Sequence, residues 1–311
     1  MNSPGITNVA TVPQRSPFRY PGGKTWLVPE IRAWFRTLSR KPEILVEPFA
    51  GGGIVSLTTA FENLAHRVVM VEKDEHVAAV WQIILEDGEW LAGKILEFEL
   101  TLESVRETLS SPPLSLRDKA FQVILRNRVQ RGGIMAPGAS LMKAGENGRG
   151  LASRWYPGTL ARRIRAIYEH RERITFIEGD AFEIIPDFLD DSGAAFFIDP
   201  PYTAGGKRAG KRLYTYNEVD HEGLFALMSR AQGDFLMTYD DAGEVEEMAR
   251  KYDFAVRRAP MKTTHHATLY ELLISPRPRV AGPVSSVSGP RTPAMQQATL
   301  QLSPPPPVPE S

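Results

Sequence analysis

The chain has no cysteine. That excludes disulfides, cysteine-ligated zinc and any reaction routed through a thiolate, and it suits a reducing compartment. Long apolar runs are missing too: none approaches the ~20 residues that span a bilayer, and residues 1–16 lack the apolar core of a secretory signal. A cytoplasmic location is therefore expected. Net charge is also absent, with 37 Lys and Arg against 37 Asp and Glu. The balance is not local, however. Between positions 117 and 173 thirteen Lys or Arg stand against four Asp or Glu. Such a stretch is either a surface that faces a polyanion or a solvated helical face, and composition leaves both open.

What is present is an ordinary globular composition, 42% hydrophobic and 24% charged over 311 residues, enough for one large α/β domain with a smaller module. Short apolar runs rich in β-branched or aromatic residues at 43–47, 67–72, 173–178, 194–198 and 234–238 read as buried parallel strands, and a further strand-like segment follows His265 and His266. After Pro29, the residues Ile31, Trp34, Phe35 and Leu38 repeat at helical spacing. This alternation predicts a doubly wound sheet whose ligands sit at the carboxyl ends of the strands. From about 87 to 170 the patterns are helical, with a Gly-rich loop at 131–150 and no convincing strand. The expected organisation is a disordered N-terminus (1–16), a sheet domain (17–86 and 171–275), a helical insertion (87–170) and a disordered tail (276–311) that holds ten of the 25 prolines.

Directly after the run 194–198 come Asp199, Pro200, Pro201 and Tyr202. Two prolines end a strand and fix its backbone, which holds carbonyls and the Asp199 carboxylate at the carboxyl edge. This corner suits one chemical problem. An aromatic amine is a poor nucleophile because its lone pair is delocalised into the ring. Hydrogen bonds from its protons to a carboxylate and a carbonyl favour a pyramidal nitrogen and absorb the developing positive charge. Tyr202 can stack on the ring. The plainer reading is a proline turn with a solvent-facing Asp199. Gly51, Gly52 and Gly53 follow the first strand and allow either a close-approaching ligand or simply a tight turn. They are not a G-x-G-x-x-G fingerprint, because Ile54, Val55 and Ser56 come next. Asp180 reads as the cap of a helix beginning near Phe182. Two adjacent histidines without an acidic partner at metal-like spacing give no reason to assign a metal.

Asp-Pro-Pro-Tyr is the catalytic motif of amino-group DNA methyltransferases. Three more segments follow that pattern: Phe18-Arg-Tyr-Pro-Gly-Gly-Lys24, Val46-Glu-Pro-Phe-Ala-Gly-Gly-Gly53 and the acidic end of the second strand at Glu72. Together they make the chain resemble the Dam-like adenine-specific class over roughly 18–274. The resemblance implies a Rossmann-like sheet that uses S-adenosylmethionine, with an inserted helical target-recognition domain. It implies that Phe49, Gly51 and Gly53 form the cofactor turn and that Glu72 accepts the ribose hydroxyls. Asp180 would take the amino group of the cofactor adenine, with Phe182 against that ring. Lys24 would neutralise the cofactor carboxylate, while Tyr20 packs against the methionine portion or lines the channel. Asp199, Pro200 and Tyr202 would carry catalysis on a flipped adenine, with Asp199 also facing the cofactor. The nearest alternative substrate is the amino group of cytosine; methylation at its carbon 5 is excluded by the missing thiol. A non-catalytic DNA-binding module is a second alternative, which leaves the catalytic motif unexplained.

The implied partner is double-stranded DNA, and a cognate restriction endonuclease stays open. Within the basic insertion, Arg126-Asn-Arg-Val-Gln-Arg-Gly-Gly133 resembles the family's target-recognition region. Arg126, Asn127, Arg128 and Arg131 offer contacts to phosphates and base edges. Trp155 and Tyr156 are expected in a helical core. Past the catalytic motif, Lys207, Arg208, Lys211 and Arg212 lie in a Gly-rich stretch expected to grip phosphates and close over the flipped base.

Overall fold

The computed structural model describes residues 9–20, 22–133, 140–143, 148–201, 218–262 and 268–277. They build one seven-stranded sheet in the order β3-β2-β1-β4-β5-β7-β6. Strands β1 (Ile44–Glu47), β2 (Arg67–Glu72), β3 (Ile174–Glu178), β4 (Ala194–Ile198) and β5 (Asp234–Asp240) pair in parallel. Each falls where an apolar run stands in the sequence. The expected α/β sheet is therefore observed.

The chain steps outward from β1 to β2 and β3, then returns to β4 on the other side of β1. That reversal opens a crevice beyond the carboxyl ends of β1 and β4, the usual place for a ligand in such sheets. Two strands complete the sheet. β7 (Thr268–Pro276) pairs antiparallel to β5, and β6 (Phe254–Lys262) pairs antiparallel to β7. β6 has no counterpart in the strand pattern of the sequence. It carries Arg257, Arg258 and Pro260, and it tolerates them because it is an edge strand.

Alternating strand residues feed two cores. Leu45, Val68, Met70, Ala195 and Phe197 pack with helices α1 (Val28–Thr37), α2 (Ile54–Glu62), α3 (Glu75–Glu97), α5 (Leu116–Val129) and α6 (Pro157–Glu169). Between α3 and α5 lies α4 (Leu102–Ser110), closed by a Thr101–Ser104 capping box. Val46, Val69, Val71, Phe196 and Ile198 pack on the other face with α7 (Ala181–Ile184), α8 (His221–Met228) and α9 (Gly243–Lys251). α1 begins with a proline in its first turn and buries Ile31 and Phe35, as its spacing predicts; Leu38 is the residue after its end.

Residues 75–169 contribute α3 to α6. α3 starts well before position 87 and kinks there, where Asp87 has non-helical backbone angles. Val80, Ile84, Ile124 and Ile164 belong to the same apolar core as Leu45 and Phe197.

Two expectations are corrected. Residues 9–16 are not a loose leader: Val12 is buried, and Arg15 pairs with Glu62 at 2.8 Å. Trp155 is buried against Phe98, but Tyr156 is exposed, with Arg149 over its ring. Residues 1–8, 202–217, which hold Tyr202, Lys207, Arg208, Lys211 and Arg212, and 278–311 lie outside the described residues, as do His265 and His266. Among the described residues no helix is long and apolar enough to cross a membrane.

Candidate active site

The carboxyl ends of β1, β2 and β4 open into a cavity of about 940 Å³. Tyr20, Lys24, Phe49, Gly51, Gly53, Glu72, Asp180, Phe182, Asp199 and Pro200, scattered over 180 positions, all line it. The fold thus brings together every described residue expected at the cofactor and catalytic sites.

The turn after β1 is fixed from three sides. The Gly51 amide donates to the Glu72 carboxylate at 2.9 Å, the Gly51 carbonyl accepts from the Trp81 indole at 3.0 Å, and the Ala50 amide donates to the Val71 carbonyl. Gly51 and Gly53 have φ of +47° and +63°. A Cβ on Gly53 would lie 2.6 Å from Met70 Cε; one on Gly51 would lie 2.7 Å from the Tyr20 ring. Gly53 therefore has to be glycine for backbone angle and for space, and Gly51 for its backbone angle, since a methyl there meets only the movable end of Tyr20.

Glu72 caps this arrangement. Its other oxygen accepts from the Asp74 amide at 2.9 Å, and burial raises its pKa to about 7 against the opposing pull of those amides. Asp180 caps α7 through the Phe182 amide at 2.8 Å, so its local reading as a helix cap is realised, and it pairs with Lys73 at 2.6 Å. Glu47, at the end of β1, is buried beneath the N-terminus of α2 and accepts from the Ser56 amide at 2.8 Å. Burial, helped by repulsion from Asp199 and Glu72, raises its pKa to about 8.

At the β4 edge, Asp199 is held rather than free. Its Oδ1 receives the Thr238 hydroxyl at 2.7 Å and stands 3.1 Å from Lys24 Nζ. Lys24 is only 4% exposed and also pairs with Glu271 at 3.3 Å. Burial raises the Glu271 pKa to about 7 despite that ammonium. The Lys24 ammonium, which lines the cavity, is engaged by two carboxylates of the chain itself. Thr238, Glu271 and Glu47 were not singled out in the sequence. Glu47 stood inside a quoted motif; the other two arrive by strand register, which leaves no local mark.

The basic segment divides differently from expectation. Asn127 is fully buried. It accepts from the Arg19 amide and donates to the Arg19 and Gly133 carbonyls, at 2.9, 3.0 and 2.9 Å. Its amide is consumed in tying the N-terminal segment to α5, which corrects its assignment to base reading. Arg128 is buried as well, donates to the Pro17 carbonyl and lines the cavity. Arg126 is half-buried and Arg131 exposed.

A doubly wound sheet with an acid-rimmed, glycine-floored crevice at its reversal defines a nucleoside-binding α/β enzyme. Residues 20–107 match the family of D12 class N6 adenine-specific DNA methyltransferases. The resemblance carried by the motifs is borne out over this segment, which runs from the Tyr20 motif through the cofactor turn into the insertion and ends before Asp199. The chain is a methyltransferase with S-adenosylmethionine as its methyl donor. No curated protein matches it. Similar solved structures include a precorrin-6y C5,15-methyltransferase from Geobacter metallireducens, at 11% identity over 79% of this chain and 85% of that one, TM-score 0.34. An rRNA methyltransferase from Streptomyces viridochromogenes aligns at 14% identity over 81% and 83%, TM-score 0.37. An rRNA methylase from Streptococcus thermophilus aligns at 7% over 80% and 93%, TM-score 0.34.

The residues present fit the cofactor. The crevice offers backbone at Gly51 and Gly53 without side chains in the way, a carboxylate at Glu72 and an aromatic face at Phe182. Glu72 already accepts one amide on each oxygen, and each oxygen keeps a second lone pair for a hydroxyl.

Proposed function

We propose that the protein is a site-specific DNA adenine methyltransferase that acts on double-stranded DNA, methylating the N6 amino group of an adenine turned out of the helix. One observation carries this reading: Asp199, fixed by Lys24 and Thr238 at the end of β4, faces the same cavity as Gly51 and Glu72. When bound, S-adenosylmethionine supplies an electrophilic sulfonium methyl group.

The chain does the rest. Asp199 and the carbonyls of the proline corner accept the amino protons, which localises the nitrogen lone pair. As the nitrogen–carbon bond forms and the sulfur–carbon bond breaks, positive charge grows on that nitrogen. The Asp199 carboxylate stabilises it and takes the proton that the product must lose, which then passes to water. Thr238 and Lys24 keep the carboxylate in one orientation. No covalent enzyme intermediate is required. Glu72 and the turn at Gly51 hold the donor, while Tyr20 and Phe49 restrict the cavity around it. Target adenine must leave the stack to reach Asp199, because the site is concave.

The amino group of cytosine poses the same lone-pair problem, and the corner alone serves either base. The test is nucleoside analysis of DNA methylated by the purified protein, beside an Asp199→Ala control. N6-methyladenine that disappears in the control is expected. N4-methylcytosine alone would move the reading to cytosine, and no methylated nucleoside from protein that binds the donor would overturn it.

A further inference from the structure

We propose that Arg19, Arg128 and Arg163 form a binding site for the phosphodiester groups that flank the target base, an inference that rests on the DNA reading above. All three line the active-site cavity. They arrive from three parts of the chain: Arg19 from the N-terminal segment, Arg128 from the end of α5 and Arg163 from α6. Among the described residues, none of them forms an ion pair with a carboxylate. Arg128 is 6% exposed and is held by the Pro17 carbonyl; Arg163 donates to the Ser16 carbonyl at 2.9 Å. Arg128 Nε and Arg19 Nη1 are buried donors without a hydrogen-bond partner among the described residues.

Burying a guanidinium without a counter-charge is strongly unfavourable, and grouping several compounds it. The electrostatics agree. Burial, then repulsion from Arg163, Arg19 and Arg154, lowers the pKa of Arg128 to about 9, and burial likewise lowers those of Arg19 and Arg163. Neighbouring carboxylates are plentiful elsewhere on the surface, as the pairs of Arg32 and Arg165 show. Among the described residues, the chain here presents only the Pro17 and Ser16 carbonyls to Arg128 and Arg163. The missing compensation is an anion brought by the ligand.

The cofactor carries one carboxylate, too little charge for three guanidiniums. A nucleic-acid strand brings a phosphate on each side of an extruded nucleotide, and the planar guanidinium matches its oxygens in pairs. The position also fits, since α5 and α6 belong to the basic segment and the arginines line the same cavity as Asp199. Asn127, by anchoring Arg19 to α5, sets the spacing of the group.

The test uses the full chain and a short duplex in which one adenine lies opposite an abasic site, so that extrusion needs no recognition sequence. A second duplex carries neutral methylphosphonates at the two phosphates flanking that adenine. The wild type is expected to bind the native duplex about tenfold or more tighter, the loss of one charge-assisted contact. Arg128→Gln and, separately, Arg19→Gln should weaken the native duplex and shrink that ratio towards one. Arg128→Lys should recover part of it. Arg19→Gln guards against a folding artefact, because the Arg19 guanidinium supports no hydrogen bond among the described residues. Donor affinity, measured by equilibrium dialysis without DNA, should be unchanged in all three. Folded variants with an undiminished ratio would overturn the proposal. So would a loss of donor affinity with duplex binding intact, which would assign the arginines to the cofactor carboxylate. A wild type that binds neither duplex would remove the DNA reading itself.

Discussion

Lys24 Nζ and Asp199 Oδ1 meet 3.1 Å apart at the edge of the cavity, joining the N-terminal segment to the fourth strand. Glu271 completes the contact from β7, and the three charges stand in for one another's water. Replacing Lys24 by Met leaves two carboxylates without a counter-ion in a buried place. A loss of about 3–5 kcal/mol of stability is expected. The double variant Lys24→Met/Glu271→Gln should recover part of it. Urea unfolding checks both. If Lys24 served the cofactor alone, Lys24→Met would weaken donor binding and leave unfolding nearly unchanged.

The cavity glutamates make stability fall as pH rises. Burial raises Glu47 from 4.5 to about 8, and Glu72 and Glu271 to about 7. Folded protein therefore keeps protons that the unfolded chain has already released. The stabilisation is complete below the unfolded value and is lost as pH climbs through the folded ones. Each group contributes a slope of up to ~1.4 kcal/mol per pH unit. Tm should decline from about pH 5 to about pH 8, and Glu47→Gln should flatten the decline and exceed the wild type at the alkaline end. A wild-type Tm that rises over this range would contradict the account.

Gly53 and Gly51 should fail differently when changed to Ala. At Gly53 the new methyl strikes Met70 and Trp81 inside the core, and its φ is left-handed. A loss of about 3 kcal/mol is expected from strain and overpacking together. At Gly51 the methyl meets the tip of the movable Tyr20 ring. Gly51→Ala should lose less stability but bind the donor more weakly, as Tyr20 is pushed into the cavity. Thermal unfolding beside donor titration separates the two, and identical behaviour would count against the assigned geometry.

Asn127→Ala should act on folding, not on base choice. It leaves the Arg19 amide and two carbonyls unsatisfied, at about 1–3 kcal/mol for a buried group. Methylated positions mapped in DNA should be those of the wild type, at lower yield of folded protein. A changed recognition sequence would restore Asn127 to base reading.

Much of this was legible in the sequence for a physical reason. Strands buried on both faces must be apolar throughout, so β1, β2, β4 and β5 declared themselves, while β3, at the other edge and only partly buried, showed through its β-branched and aromatic residues. The Asp199 corner did so because two prolines after a strand have few structural uses. β6 stayed hidden, since an edge strand can carry Arg257, Arg258 and Pro260. Thr238 and Glu271 stayed hidden because register, not local sequence, carries them to Asp199. Asn127 misled: a polar side chain among arginines has the composition of a base reader, and only the fold shows its amide spent on backbone. Composition likewise marked Arg128 as basic without showing that it is buried.

Asp199→Asn isolates the contribution of the carboxylate charge at the β4 corner. The amide keeps the shape and can still accept the Thr238 hydroxyl, but it loses the charge. In a single-turnover reaction with excess enzyme and a duplex carrying the methylated site, the transfer rate is expected to fall about 100-fold or more, with donor affinity close to wild type. Transfer at the wild-type rate would show that the Asp199 carboxylate does not activate the amine.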